Sequence, residues 1–473
     1  MFRAKVLFYK EAILNARRPA LTYCLLAVLL LALTTLLAAC SDAENPTPVI
    51  TTTSATSAAP ALTATSVPPT PIPTLTATPI PPTATAVPTA TPVPPKPLVI
   101  GLITSRTGAY AAYGEMLERG FMLGLNYYTQ GTNKINGHEV KVLIEDDSSD
   151  PDKAVAAARK LVQQEGAEIL VGTPGSPAAQ AVSAVNDTEL KKIFMATPVA
   201  DPSLAGLSFS RYLFRLSSSP DQAVMTGATY AATLASATRN ERIASFYPAT
   251  PAGQSLNTTW KEAALATDDN ISWVEVAVPT TATDFTTYIQ KVLNANPDVL
   301  VLNWSGSTTA KLYLQMQAKN VFSEIDTISP VGDGTSLKAA GDDLIGTLGV
   351  SSYWYQFPKT AENDALVKAF KDKYNTFPDL YVPDGFAAFS AIQAALARTG
   401  GDTDPEKLIP ALEGMSFATP KGKETFRKED HLALQPMYIV RLLRDNTGTY
   451  AFPIPQLIKE LSPEEAAAPV RKS

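Results

Sequence analysis

Gly175 and Ser176 stand between a short apolar run at 169–171 and a helical pattern that opens at Pro177. The first N–H groups of a helix have no intrahelical partner, and the positive end of its dipole lies there. With the Ser176 hydroxyl added, this is a cradle for a carboxylate or a similar anion. The same Gly-Ser-Pro stretch also makes an ordinary turn with an N-cap. Asp146 and Asp147 are adjacent carboxylates that could serve acid/base chemistry, or could cap the loop and helix that follow. His138 and His431 are the only histidines, and Cys24 and Cys40 the only cysteines. That is too few for a disulfide framework or a zinc site of Cys/His type, and it leaves a His-dependent triad little to draw on. No phosphate-cradling P-loop, G-x-S-x-G elbow or metal-ligand cluster is present, so neither an enzyme nor a cofactor is expected. The formal net charge of −6, without long Lys/Arg runs, argues against nucleic acid as a partner.

The elements that must position these residues alternate. Apolar, β-rich runs at 98–103, 140–144, 169–171 and 193–196 are separated by helical patterns at 114–128, 152–164 (with Asp152 as N-cap) and 177–186. The rhythm repeats with strands at 242–247, 274–278 and 298–302 between helices at 221–237, 255–265, 285–293 and 308–319. Such alternation predicts an α/β chain, with parallel sheets covered on both faces. Two runs of it predict two doubly wound parallel-sheet lobes, and 473 residues with 45% hydrophobic content suffice for both cores. Ligands of open α/β sheets bind beyond the carboxyl ends of the strands. The loops to watch are therefore 104–113, 172–176 and 197–201, then 247–254, 303–307 and 332–336.

Residues 1–40 read as an address. Arg3, Lys5, Lys10, Arg17 and Arg18 precede an apolar run at 21–37, and Leu37-Ala38-Ala39-Cys40 resembles the lipobox of bacterial lipoproteins. That resemblance implies a lipidated Cys40 and a chain outside the cytoplasm; an uncleaved signal anchor would place it there too. Residues 41–97 hold fifteen of the 38 prolines, mixed with Thr, Ala, Ser and Val, and no aromatic residue. Such a segment is expected to be a disordered, semi-stiff linker, reaching roughly a hundred Å or more at about 3.1 Å per residue.

Four stretches then carry a family likeness: 107–114, with Tyr110 and Tyr113; 145–155, Glu-Asp-Asp-Ser-Ser-Asp-Pro-Asp-Lys-Ala-Val; 172–176, Gly-Thr-Pro-Gly-Ser; and 417–436, with Gly422, Phe426, His431 and Gln435-Pro436. Together they resemble the type I periplasmic binding proteins of the branched-chain amino acid (Leu/Ile/Val) family, the substrate-binding lipoproteins of ABC transporters. The resemblance runs from about Leu98 to about Leu443. It implies a Venus-flytrap body, with lobe 1 in 98–218 and 354–429 and lobe 2 in 219–353 and 430–473, and hinge crossings near 217–219, 351–354 and 421–430. It implies a ligand carboxylate at Gly175 and Ser176, an ammonium group near Ala200 and Asp201, and an acidic contact from the second lobe at Asp333. Tyr110 and Tyr113 would cover the apolar part.

The second lobe departs from the family pattern. Where an Asp and then Tyr-Gly are usual, the chain has Tyr247-Pro248-Ala249-Thr250-Pro251-Ala252-Gly253, so Tyr247 stands for the Asp. Trp304 lies near the place of another family aromatic residue. The resemblance implies a monomer that binds an amino acid or related amide or small carboxylate and is recognised, when closed, by the membrane permease subunits of an ABC importer. A ligand-sensing receptor on the same fold, acting in signalling rather than transport, is the alternative.

Overall fold

The computed structural model describes residues 96–238, 240–304 and 308–470. Cys40 and the linker up to Pro95 lie outside the described residues. The first half runs β1 (Leu98–Thr104), α1 (Ala111–Tyr128), β2 (Lys134–Ile135), β3 (His138–Asp146), α2 (Pro151–Arg159), β4 (Ile169–Gly172), α3 (Ser176–Val185), β5 (Ile193–Ala196) and β6 (Leu213–Arg215). These strands form one sheet in the order β2-β3-β1-β4-β5-β6. It is parallel except for the β2–β3 hairpin. The strands β4 and β5 are wholly buried, as expected where helices cover both faces.

The second sheet is built from α4 (Pro220–Ala235), β7 (Arg242–Pro248), α5 (Pro251–Thr267), β8 (Ser272–Val278), α6 (Thr286–Ala295), β9 (Val299–Leu302), α7 (Thr309–Ala318), α8 (Val321–Glu324), β10 (Asp326–Pro330), α9 (Gly334–Ala340) and β11 (Leu348–Ser351). The chain then returns to the first lobe for α10 (Ala361–Tyr374), α11 (Val382–Thr399), α12 (Pro405–Leu412) and a small sheet of β12 (Ser416–Thr419), β13 (Gly422–Phe426) and β14 (Ala433–Leu434). It ends in the second sheet with β15 (Met437–Leu443) and β16 (Ile454–Leu461), completing the order β16-β15-β11-β10-β9-β7-β8.

Three details differ from the sequence reading. The sheets are mixed rather than wholly parallel: β2 runs against β3 in the first, and β15 runs against both of its neighbours, β11 and β16, in the second. β11 leaves the second sheet at the lobe boundary and β15 enters it there, so β15 must run back along its neighbour. The cap of α2 is Asp150, whose carboxylate accepts from Asp152 N at 2.8 Å and Lys153 N at 3.2 Å. Pro151 takes the first helical position, where its missing N–H costs nothing, so the cap must precede it. The third crossing lies at Gln435 and Pro436, later than the expected 421–430. Phe426 and Ala433 still belong to the first core, whereas Met437 and Ile439 belong to the second. The other crossings are 216–219 and 352–360. In the latter, Trp354 and Phe357 still pack with Tyr438 and Val440 of the second sheet.

His431 anchors this late return. Its ring stacks on Phe214 at 4.0 Å between centroids, and Nδ1 lies 3.1 Å from the Leu213 carbonyl. Burial holds its pKa below the ordinary value, although Glu413 nearby works the other way. The unfolded chain therefore binds the proton more readily, and stability should fall as pH drops through about 6.5 and below. Comparing urea titrations at about pH 7.5 and 5.5 for the protein and for His431→Phe checks this; the variant should lose that part of the pH dependence.

Candidate binding cleft

Within the first lobe the carboxyl-end loops are clamped to one another by the Asp146–Asp147 pair. Asp147 is wholly buried and accepts from the Ser105 hydroxyl at 2.6 Å, from Ser149 N at 2.8 Å and from the Thr173 hydroxyl. Asp146 accepts from Ser148 N and Arg106 N, each at 2.8 Å, and from the Thr107 hydroxyl at 2.9 Å, and against the opposing effect of burial these bonds hold its carboxyl below the ordinary value. Both carboxylates are thus committed to holding loops.

Gly175 has φ +91°, a left-handed conformation that favours glycine, and a side-chain Cβ there would come within 2.5 Å of the Tyr110 ring. Its N–H was expected to face outward unpaired; it donates instead to the Pro198 carbonyl at 3.3 Å, because neighbouring β4 and β5 bring their loops together. Ser176 is the first residue of α3, and its Oγ accepts from Ala200 N at 3.3 Å and Asp201 N at 3.0 Å. Its hydroxyl proton is not used in these bonds and can still be donated at the helix start. The Asp201 carboxylate caps the following turn through Ser203 N at 2.8 Å and meets Gln180, while its carbonyl receives Arg215 Nη1 at 2.6 Å. Ala200, beside it, is exposed.

From this loop a line of contacts reaches the second lobe. Tyr110 packs on Gly175, and Tyr113 stacks with Tyr110 at 6.3 Å. Tyr113 also meets Tyr381 edge-on at 5.1 Å. Tyr113 lies close enough to Asp333 of the second lobe to feel its charge; burial first, and then that charge, raise the phenol's pKa. Asp333 is buried and caps α9 through Ser336 N at 2.8 Å. Beside it Asp379, just before α11, accepts from Gly334 N at 3.0 Å. Asp379 therefore bonds across the lobe boundary, and burial raises its carboxyl, with Asp333 adding to the effect.

A family model described as periplasmic binding protein matches residues 97–448. The chain belongs to the periplasmic binding protein family. It is accordingly a solute-binding protein of the ABC-transporter class and not an enzyme. Among its relatives is the leucine-, isoleucine-, valine-, threonine- and alanine-binding protein of Pseudomonas aeruginosa, 26% identical over 353 residues, which are 74% of this chain and 91% of that one. The solved structure of an ABC-type branched-chain amino acid transporter from Rhodopseudomonas palustris is 33% identical, with a TM-score of 0.71, over 80% of this chain and 100% of that chain. The fold is shared with an ABC transporter solute-binding protein of R. palustris in complex with 3,4-dihydroxybenzoic acid, at 22% identity and a TM-score of 0.61, covering 77% of this chain and 97% of the other.

In this binding protein Tyr247 and Trp304 are engaged within the second lobe. The Tyr247 hydroxyl donates to Gln254 at 2.9 Å and reaches Glu275 at 3.1 Å. Trp304 packs on Phe246 and Phe285, and its Nε1 donates to Thr308 at 3.1 Å. The sequence reading did not include Asp379, Tyr381 and Arg215. Asp379 and Tyr381 follow Phe377-Pro378, a turn before a helix, which marks a loop but not what it faces. Arg215 is wholly buried; its guanidinium serves the carbonyls of Val199, Asp201 and Ser218, and burial, opposed by the charges of Asp201, Asp221 and Asp384, depresses its pKa to about 10. Nothing in the short segment 213–215 distinguishes this arginine from a surface one.

Proposed function

We propose that the protein binds an amino acid or a related small carboxylate in the cleft between its lobes and delivers it to the membrane subunits of an ABC importer. In this reading lipid on Cys40 tethers it outside the bilayer and the linker at 41–97 sets its reach. The observation that supports the ligand class is the line Gly175–Tyr110–Tyr113, which starts at the α3 helix start and ends near the buried Asp333 carboxylate. A zwitterion matches both ends. Its carboxylate takes the Ser176 hydroxyl and the N–H groups of the α3 start; its ammonium takes the neighbouring Ala200 carbonyl and, as the lobes close, Asp333; the tyrosines cover its apolar side chain. Because Asp333 belongs to the second lobe, its contact is made only when the lobes are closed, and it is differential affinity of this kind that shifts the equilibrium. Moving from 1:99 to 99:1 takes about 5.5 kcal/mol.

Thermal shift of the purified protein against leucine, alanine, leucinamide and 4-hydroxybenzoate tests this. At about 100 times Kd, a true ligand stabilises by about 2.7 kcal/mol. An amino acid should raise the melting temperature without being consumed, and Ser176→Ala with Asp333→Asn should abolish the shift. A shift with the hydroxybenzoate and none with either amino acid would sink the zwitterion reading and favour an aromatic acid against the tyrosines.

A further inference from the structure

All three connections between the lobes meet at one buried charge cluster. Lys421, in the turn between β12 and β13, has a fully buried side chain. Its Nζ lies 2.6 Å from Asp384 Oδ1, 2.5 Å from Gln435 Oε1 and 3.2 Å from Glu424 Oε1. Gln435 is the third crossing, and its Nε2 donates to the Leu216 carbonyl of the first at 3.1 Å. The second crossing joins through Thr360, whose hydroxyl donates to the Pro420 carbonyl at 3.0 Å.

The same cluster continues into the cleft. Asp384 accepts from the Thr197 hydroxyl at 3.4 Å. The Ser217 Oγ lies 2.9 Å from Thr197 Oγ1 and accepts from Val199 N at 3.1 Å. Thr197 and Val199 begin the loop that carries Ala200 and Asp201. A buried ionic cluster is a weak source of net stability, because desolvation offsets most of the attraction. This one even leaves Glu424 Oε2 buried without a hydrogen-bond partner among the described residues. Its geometry is better matched to fixing an orientation than to adding stability.

We propose that Lys421 and Gln435 form a hinge hub that sets the angle between the lobes and couples it to the loop at 197–201. They act as positioning residues, through the crossings, and touch no ligand. When the hub is intact, the second lobe is held where Gly334 N–H meets Asp379; when the links to the crossings are cut, that contact opens without unfolding either core.

The Gly334 amide reports the angle directly, so the test needs no ligand and stands apart from the ligand class proposed above. Hydrogen exchange of the full chain is followed in the segment 332–337 and in the core strands β4 and β9. Gln435→Met keeps the Lys421 ion pairs but removes the bonds by which the third crossing holds Lys421 and the first crossing. It should accelerate exchange in 332–337 roughly tenfold while β4 and β9 stay within about twofold, since local opening and global unfolding are separate events. Unchanged exchange at 332–337, or equal acceleration in the core strands, overturns the proposal. Should Gln435→Met not fold, Ser217→Ala, which cuts the first crossing's tie to Thr197 and through it to Asp384, carries the same test, with the same two outcomes deciding it.

Discussion

Lys421→Met is expected to destabilise the protein by about 3–5 kcal/mol, the usual range when one partner of a buried ion pair is removed. Asp384 and Glu424 would remain in the interior without their cation. Both carboxyls are already raised by burial, and Lys421 is the main influence holding them down. Without it they rise further. In the unfolded chain they titrate near 3.8 and 4.5. Between those values and the raised folded ones, the folded variant binds more protons than the unfolded one. Its stability therefore falls as pH rises through that window, and the full deficit stands above it. Urea titration should find a smaller deficit at about pH 5 than at about pH 7. Neutralising the whole cluster, with Asp384→Asn and Glu424→Gln added to Lys421→Met, should recover most of the loss, because no buried charge is then orphaned. A pH-independent deficit that the triple variant does not reduce would show that lost packing, not charge, dominates.

Gly120→Ala should cost about 3 kcal/mol, at the upper end of what overpacking by one methyl group does. Helices α1 and α11 cross with their backbones in contact. A Cβ on Gly120 would stand 1.9 Å from the Val382 carbonyl oxygen, and one on Gly385 would stand 2.3 Å from that of Leu117. Neither neighbour is a side chain that can turn aside, so a helix must shift. The consequence reaches the cleft, because α1 carries Tyr113 in its first turn and α11 carries Asp384 in its own, with Tyr381 immediately before it. The edge-on contact of Tyr113 with Tyr381 and the Asp384–Lys421 pair should both loosen. Denaturant titration gives the stability loss, and near-UV circular dichroism reports the tyrosine cluster. A loss below about 1 kcal/mol with an unchanged aromatic spectrum would mean that the helices have room the geometry denies.

Much of the first lobe was legible from local pattern. The runs at 98–103, 169–171 and 193–196 fall on β1, β4 and β5, because a strand buried on both faces must be a short continuous apolar run. The helix after Gly175 was legible from Ser-Pro at its start, one residue from where it begins. β6 was not. Its three residues make sense as a strand only beside β5, and the pairing of Phe194 with Leu213 is not a local property. The second lobe's departures had raised a question about Tyr247 and Trp304, and their engagement with Gln254, Glu275, Phe246 and Phe285 depends on neighbours that no spacing rule names.

By itself the sequence determined the fold class, the positions of the carboxyl-end loops and the helix start after Gly175. Each follows from periodicity of a few residues or from a turn and its cap, and these act over one or two turns of chain. Tertiary structure alone decided that Gly175 N–H is spent on Pro198 and that Asp379 reaches Gly334 across the lobes. It also decided that Lys421, Asp384 and Gln435 meet at the crossings. Those partners lie 14 to 45 residues apart where a bond joins them directly, and the Thr197–Asp384 contact spans 187. A buried charge is committed by whatever closes around it, and for Lys421 that is fixed only when all three connections converge.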